Sequence, residues 1–258
     1  MNKRTLAVVG ILLLNVLSVP RTYAAPNSAN TAATEETKKP SSEEEAPFRD
    51  IVHELGPYET IWRISSIYGV SVEDIMKANN LKDRVRLTKG QKLLIPHTKG
   101  PRANIPLYPT DRWKSIVIHH SNTDEGSAYT LDGQAHEQGQ SDGLADHFVI
   151  DNGTRGKTTG QIEVGPRWLK QIESGVCQLS EKKPPVDSIS IVVIGNYNET
   201  GFPDKQLDSL VFLTTTLEEF YHIKPENVLW HDEMCPGKYF PRKEVRRRLE
   251  EYKPTSKP

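Results

Sequence analysis

Ser115-Ile116-Val117-Ile118-His119-His120 is a short apolar run, β-branched through its middle, that ends directly in two imidazoles. A run without polar alternation predicts a strand covered on both faces, hence a central strand of a sheet with helices on each side. His147-Phe148-Val149-Ile150 repeats the pattern and turns at Asn152-Gly153. Ile189 to Ile194 gives a third run, broken by Gly195-Asn196, and Asn227 to Trp230 a short fourth that ends in His231. After Pro203-Asp204, the residues Leu207, Leu210, Val211, Thr214, Leu217 and Tyr221 recur at helical spacing, so one face of that helix should pack on the sheet. Arg242 to Tyr252 reads as a charged helix whose Arg246-Arg247-Arg248 run is a solvated face. The alternation predicts an α/β domain over residues 108–252, a mixed central sheet flanked by helices.

Working outward, the 258 residues leave room for a second, smaller unit. Lysine and arginine number 33 against 34 acidic residues, so no net field gathers nucleic acid, and a nucleic-acid partner is not expected. Asn2-Lys3-Arg4 precedes an apolar run from Leu6 to Val19, followed by small residues to Ala24. This is the pattern of a secretory signal peptide over residues 1–24, and it is shorter than a spanning helix requires. The mature chain is therefore expected to be secreted, periplasmic or cell-wall associated, with no stable membrane span. Residues 25–48 are dominated by Ala, Ser, Thr, Pro, Lys and Glu and cannot offset ordering entropy, which predicts a disordered tether. Two cysteines, Cys177 and Cys235, are too few for a disulfide framework. Nothing in the pattern implies an oligomer.

Residues 49–97 read as strand, helix, helix, strand. Ile61, Ile64, Ile67 and Tyr68 form a helical stripe that Gly69 stops, and Ser71 with Asp74 at the third position caps a second helix bearing Val72, Ile75 and Met76. Lys89-Gly90 turns into a last strand, Gln91 to Ile95, closed by Pro96. Glu59-Thr60-Ile61-Trp62-Arg63-Ile64, Tyr68-Gly69-Val70-Ser71, Asn79-Asn80-Leu81 and Gly90-Gln91-Lys92-Leu93-Leu94-Ile95-Pro96 together resemble a LysM domain, a βααβ module. The resemblance implies a shallow groove for N-acetylglucosamine-containing glycan, lined by Tyr58, Glu59, Thr60, Ile61, Leu81 and Lys82. Tyr58 stands where such domains carry glycine. Residues 98–107, with Lys99-Gly100-Pro101, read as a second linker.

In the larger unit, His119 ends one strand and His231-Asp232-Glu233-Met234-Cys235-Pro236-Gly237 follows another. Two imidazoles and a thiolate suit a catalytic Zn²⁺ with a fourth position open to water. The same residues also fit ordinary surface histidines and a Cys177–Cys235 disulfide in an oxidising compartment, and spacing alone leaves both readings open.

Ile116-Val117-Ile118-His119-His120-Ser121, Asp146-His147-Phe148-Val149-Ile150-Asp151-Asn152-Gly153, Ser188 to Asn196, Trp230-His231-Asp232 and Cys235-Pro236-Gly237-Lys238-Tyr239-Phe240-Pro241 resemble, in order, the signatures of zinc-dependent N-acetylmuramoyl-L-alanine amidases and peptidoglycan recognition proteins. The resemblance implies His119, His231 and Cys235 as zinc ligands, a free Cys235 thiolate, and peptidoglycan as partner. His120 then faces the other side of the strand. The chain departs from the family where Asp146 replaces a tyrosine, Val192 a glutamate and Val176 a histidine. The loop between His231 and Cys235 is also short and lacks a lysine found in relatives. Asp146 is a candidate general base, His147 a candidate for orienting substrate, and Lys238 a candidate replacement for the missing lysine.

The implied function is a peptidoglycan hydrolase in which a zinc-activated water cleaves the amide between N-acetylmuramic acid and L-alanine, with the LysM module raising the local concentration of enzyme at an insoluble substrate. The alternative is a catalytically silent zinc-containing recognition protein. A cysteine peptidase built on Cys235 is a third class, disfavoured because Cys235 precedes a Pro-Gly turn rather than opening a helix.

Overall fold

The computed structural model describes residues 47–176, 184–197, 202–230 and 242–251. The expected signal peptide and most of the tether, like Cys177, His231, Cys235 and Lys238, lie outside the described residues.

The small unit is β1 (Arg49–Glu54), α1 (Ile61–Tyr68), α2 (Val72–Ala78) and β2 (Lys92–Thr98), with β1 and β2 antiparallel. Thr60 caps α1 by accepting from the Arg63 amide, and Gly69 ends it at φ 64°. Ser71 accepts from the Asp74 amide at 3.0 Å and donates to its carboxylate at 2.6 Å. Ile61, Ile64, Ile67, Tyr68 and Ile75 pack with Leu93 and Ile95 as one core. Asn79 closes it: its side-chain amide donates to the Ile75 and Leu94 carbonyls, and its oxygen accepts from the Leu94 amide, all at 2.7 Å.

The sequence ended the last strand at Pro96, but β2 continues to Thr98. The pairing shifts between Ile51↔Ile95 and Arg49↔Thr98, so Pro96 and His97 face Asp50 in a bulge with His97 at φ 47°. A bulge on a two-stranded ribbon leaves a proline with no ladder bond to donate.

In the large unit, five strands lie in the order β5 (Ile162–Val164), β4 (Phe148–Ile150), β6 (Ser188–Val193), β3 (Ser115–His120), β7 (Val228–Trp230). β4, β6, β3 and β7 are parallel and β5 is antiparallel on the edge, giving the mixed sheet expected. β3 is central, with Ser115 to His120 in register with Ser188 to Val193. Parity then divides the strands. Ile116, Ile118, Phe148, Ile150, Ile191 and Val193 join the core under α5 (Asp204–Tyr221), whose Leu207, Leu210, Val211, Leu217 and Tyr221 are buried there as the spacing predicted. Val149 and Val192 face the other way, with Ala128 of α3 (Ala128–Glu137) and Leu144.

Among the described residues four elements escaped the sequence reading: α3, β5, the short α4 (Pro166–Lys170) and a 3-10 turn at Pro225–Asn227. α3 has no apolar stripe, burying only Ala128, Asp132 and Ala135. It starts on a reciprocal cap in which Ser127 and Thr130 each accept from the other's amide. In α6 (Arg242–Glu251), Arg247 pairs with Glu244 and Glu251 on the helix surface and Arg248 with Asp208, as a solvated face should.

The two units are docked. Lys157, fully buried, donates from Nζ to Glu163 at 2.6 Å and to the Glu54 carbonyl of β1 at 2.9 Å. Burial would lower its pKa, but Glu163, Glu59 and Asp151 outweigh that and raise it. Asp151 beside it has its pKa driven well up, first by burial and then by Glu163. Gly90 meets the Tyr129 ring so closely that a Cβ would sit 2.8 Å from it, at a φ of 79° that also favours glycine. The segment expected as a loose linker is bonded to the small unit: the Arg102 amide donates to the Ile67 carbonyl at 2.8 Å and Arg63 to the Asn104 carbonyl at 3.2 Å. Residues 98–107, expected as a linker, are thereby held against the small unit at these two points.

Removing the Lys157 charge leaves Glu163 buried without its cation. Lys157→Met should destabilise the chain by about 3 kcal/mol in urea unfolding and speed proteolysis within residues 98–107, and an unchanged cleavage rate would contradict the docking role.

Candidate active site

His119 ends β3 level with Val192 of β6 and, through it, Val149 of β4, so the three share the sheet face that α3 covers. Its Nε2 lies 2.8 Å from Oδ1 of Asp146, with both side chains nearly buried at 12% and 6% exposure. A carboxylate oxygen accepts, so this contact fixes the ring with its proton on Nε2. His120 points to the opposite face, as the pleat predicted, where its Nδ1 is 3.0 Å from the Gly195 carbonyl.

Asp146 is held from several sides. Arg167, a buried guanidinium the sequence did not single out, donates from Nε to the Leu144 carbonyl at 3.0 Å and from Nη1 to the Glu173 carbonyl at 2.8 Å. The Gly175 amide donates to the Ala145 carbonyl at 2.8 Å, and a Cβ on Gly175 would lie 3.2 Å from the Ala145 backbone. The segments before β4 and after α4 are thereby laced together directly behind the carboxylate. No periodicity marks Arg167 in the sequence; its value comes from carbonyls that only the fold brings near it.

His147 does not take the substrate-orienting position expected of it. It is fully buried, Nδ1 accepts from the Ser190 amide at 2.9 Å, and Nε2 donates to the Ile172 carbonyl at 2.8 Å. Trp113 and Trp168 stand edge-on to its ring. Burial is the main cause that lowers its pKa to about 4, against a smaller opposing pull from the Ile172 carbonyl. It is a neutral strut that pins β4 to β6. Val192 is 1% exposed and apolar beside His119, so no carboxylate arises from β6 at this point, and Val176 is likewise buried. Asp146 is the acid that meets His119.

Of the residues expected to bind glycan, Tyr58, Thr60 and Lys82 are exposed and Leu81 is half-buried against the small core. Glu59 and Ile61 face inward and cannot offer their side chains. The Glu59 carboxylate takes His53 Nε2 and the Gly56 amide, both at 2.8 Å. Burial would raise its pKa, but His53, Lys157 and the Gly56 amide together hold it at about 2. Tyr58 adopts φ 61°, which explains why glycine is usual at this point, and carrying an aromatic there costs about 1–3 kcal/mol.

Among the described residues no group of three or more histidines, cysteines or acids is gathered for a metal, and no helix is long and apolar enough to cross a membrane.

The depressed His147 sets a pH dependence. The unfolded chain binds the extra proton between pH 6.5 and 4, so this contribution to stability is complete above 6.5 and about 3 kcal/mol is lost as pH falls to 4. Urea midpoints across that range should decline, and a flat profile would contradict the buried neutral imidazole.

Two family models match the chain. Residues 56–96 match the LysM domain family, and residues 109–238 match the N-acetylmuramoyl-L-alanine amidase family. No curated protein matches the chain. Among solved structures, N-acetylmuramoyl-L-alanine amidase LysC from Clostridium intestinale is 25% identical, over 55% of this chain and 89% of its own, with a TM-score of 0.42. Human PGRP-IβC in complex with glycosamyl muramyl pentapeptide is 13% identical, over 49% and 75%, with a TM-score of 0.38. Drosophila PGRP-LB is 16% identical, over 48% and 75%, with a TM-score of 0.36. With the match to the amidase family running from ahead of β3 to beyond β7, and a LysM module before it, the chain belongs to the N-acetylmuramoyl-L-alanine amidase family.

Proposed function

We propose that this chain is a secreted, zinc-dependent hydrolase of peptidoglycan that cuts the amide between N-acetylmuramic acid and L-alanine, held at the wall by its LysM module. The contact between His119 Nε2 and Asp146 Oδ1 carries the reading. A histidine that ligates a metal ordinarily donates its other ring nitrogen to a carboxylate, which fixes tautomer and direction. With Nε2 committed to Asp146, a metal on His119 would take Nδ1. His231 and Cys235, outside the described residues, would complete the set.

Zinc, when bound, lowers the pKa of a coordinated water toward 7 and polarises the amide carbonyl. The residues of this chain supply the frame. Asp146 accepts the His119 proton and resists rotation of the ring, while Arg167 and Gly175 prevent the Asp146 segment from drifting. Expected from sequence as a general base, Asp146 is better described as a positioning residue, because its oxygen is already engaged by the imidazole. Lys238 is proposed to replace the lysine that supports the oxyanion in relatives, as the resemblance implies.

A second reading, a silent recognition protein, draws on Val192. Next to His119, where relatives carry a glutamate, this chain offers only a methyl surface.

Zinc-loaded chain incubated with purified peptidoglycan should release stem peptides beginning at L-alanine, detected by mass spectrometry and abolished by chelation; binding without release would favour the recognition reading. His231→Ala should lose both zinc and activity. Asp146→Asn should weaken zinc affinity by about 10- to 100-fold and recover turnover at saturating zinc. Loss of turnover that persists at saturation would instead return the base role to Asp146.

A further inference from the structure

The LysM loops that carry Tyr58 and Lys89 do not open to bulk solvent alone. They face α3, α4 and the segment between α3 and β4, and a cleft of about 260 Å³ lies along this seam. The large unit contributes His136, Ser141, Asp142 and Lys170. The Tyr58 ring is 61% exposed despite its strained backbone, and Lys170 of the other unit lies over it at 4.6 Å from the ring centre. Lys89 reaches across to Asp132 at 2.6 Å.

The chemistry of this lining points to a neutral ligand. Both carboxylates already have cations, Asp132 taking Lys89 at 2.6 Å and Asp142 lying 3.6 Å from Arg167, while Lys170 lies over the Tyr58 ring, so the lining gathers no cluster of like charge for a strongly charged ligand. What remains is an aromatic surface ringed by donors and acceptors, the arrangement that meets the C–H face of a sugar with the ring and its hydroxyl and acetamide groups with charged side chains. Strain kept at an exposed aromatic is a further sign of a binding role. Asp142 precedes Asp146 by four residues, which bounds the separation of their backbones at about 14 Å.

We propose that the cleft is a composite saccharide subsite for an N-acetylated glycan strand, in which His136, Ser141, Asp142 and Lys170 of the amidase domain extend the LysM groove across the seam. The inference rests on the peptidoglycan reading above. It makes the docked domains one binding surface: a strand held by LysM is also held by the amidase domain, beside the site that would cut its stem.

The test is calorimetric titration of the full chain with an uncharged N-acetylglucosamine oligomer, comparing wild type with Tyr58→Ala, Asp142→Asn and Lys170→Gln. All three positions are at the surface, and thermal unfolding verifies that each variant is folded. Asp142→Asn and Lys170→Gln should each weaken binding by about tenfold, as should Tyr58→Ala. Weakening by Tyr58→Ala alone would confine the site to LysM and overturn the proposal, as would a wild-type chain that does not bind the oligomer. The oligomer contains no amide to the stem, so binding is read apart from cleavage. Loss of the binding pattern with peptide release intact removes this inference only, and the reverse result removes only the amidase reading.

Discussion

The pairing of β3 with β6 sets what the rest of the large domain can be. Both strands are covered on each face, so their residues divide by parity between the α5 core and the α3 side. A slip of one residue would send His119 into the α5 core and bring Ile118 to the opposite face, exchanging an imidazole for an alkyl group at the one place where Asp146 can meet it. The register is held by a side-chain pair as well as by the ladder: Ser115 and Ser188 bond at 2.8 Å at one end.

Charge buried at the seam plays a comparable part for the relation of the two domains. Lys157, Glu163, Asp151, Glu59 and His53 form a buried cluster in which Lys157 pairs with Glu163 and His53 with Glu59, while burial drives the Asp151 carboxyl toward its neutral form. Such an arrangement contributes little net stability compared with an apolar seam. It does impose orientation, since an ammonium between Glu163 and the Glu54 carbonyl has few acceptable positions. The LysM module is thus set against the amidase domain with its Tyr58 loop facing α3 and α4.

The positions where this chain departs from its family fall into a spatial pattern. Val192 presents an apolar side chain level with His119, and Asp146 places a carboxylate within hydrogen-bond reach of the same ring. Val176 lies in the segment laced to Ala145, so this departure too is in the shell around Asp146.

Sequence alone determined the strands marked by continuous apolar runs, β3, β4, β6 and β7, and the helices marked by apolar spacing, α1, α2 and α5. Apolar spacing is a direct record of which face meets a core. It also determined the motif order that marks the family, because those residues are contiguous. It did not determine α3, which is built on a cap and an interior polar contact rather than a stripe, nor the end of β2, where a bulge excuses Pro96. Tertiary structure alone decided that Asp146 meets His119, that His147 is a strut, that Glu59 faces inward and that residues 98–107 are bonded down. Each of these depends on partners 6 to 43 residues away in the chain. Contacts of that kind leave no local period to read, since a side chain's role there is set by which backbone and charges the fold brings to it.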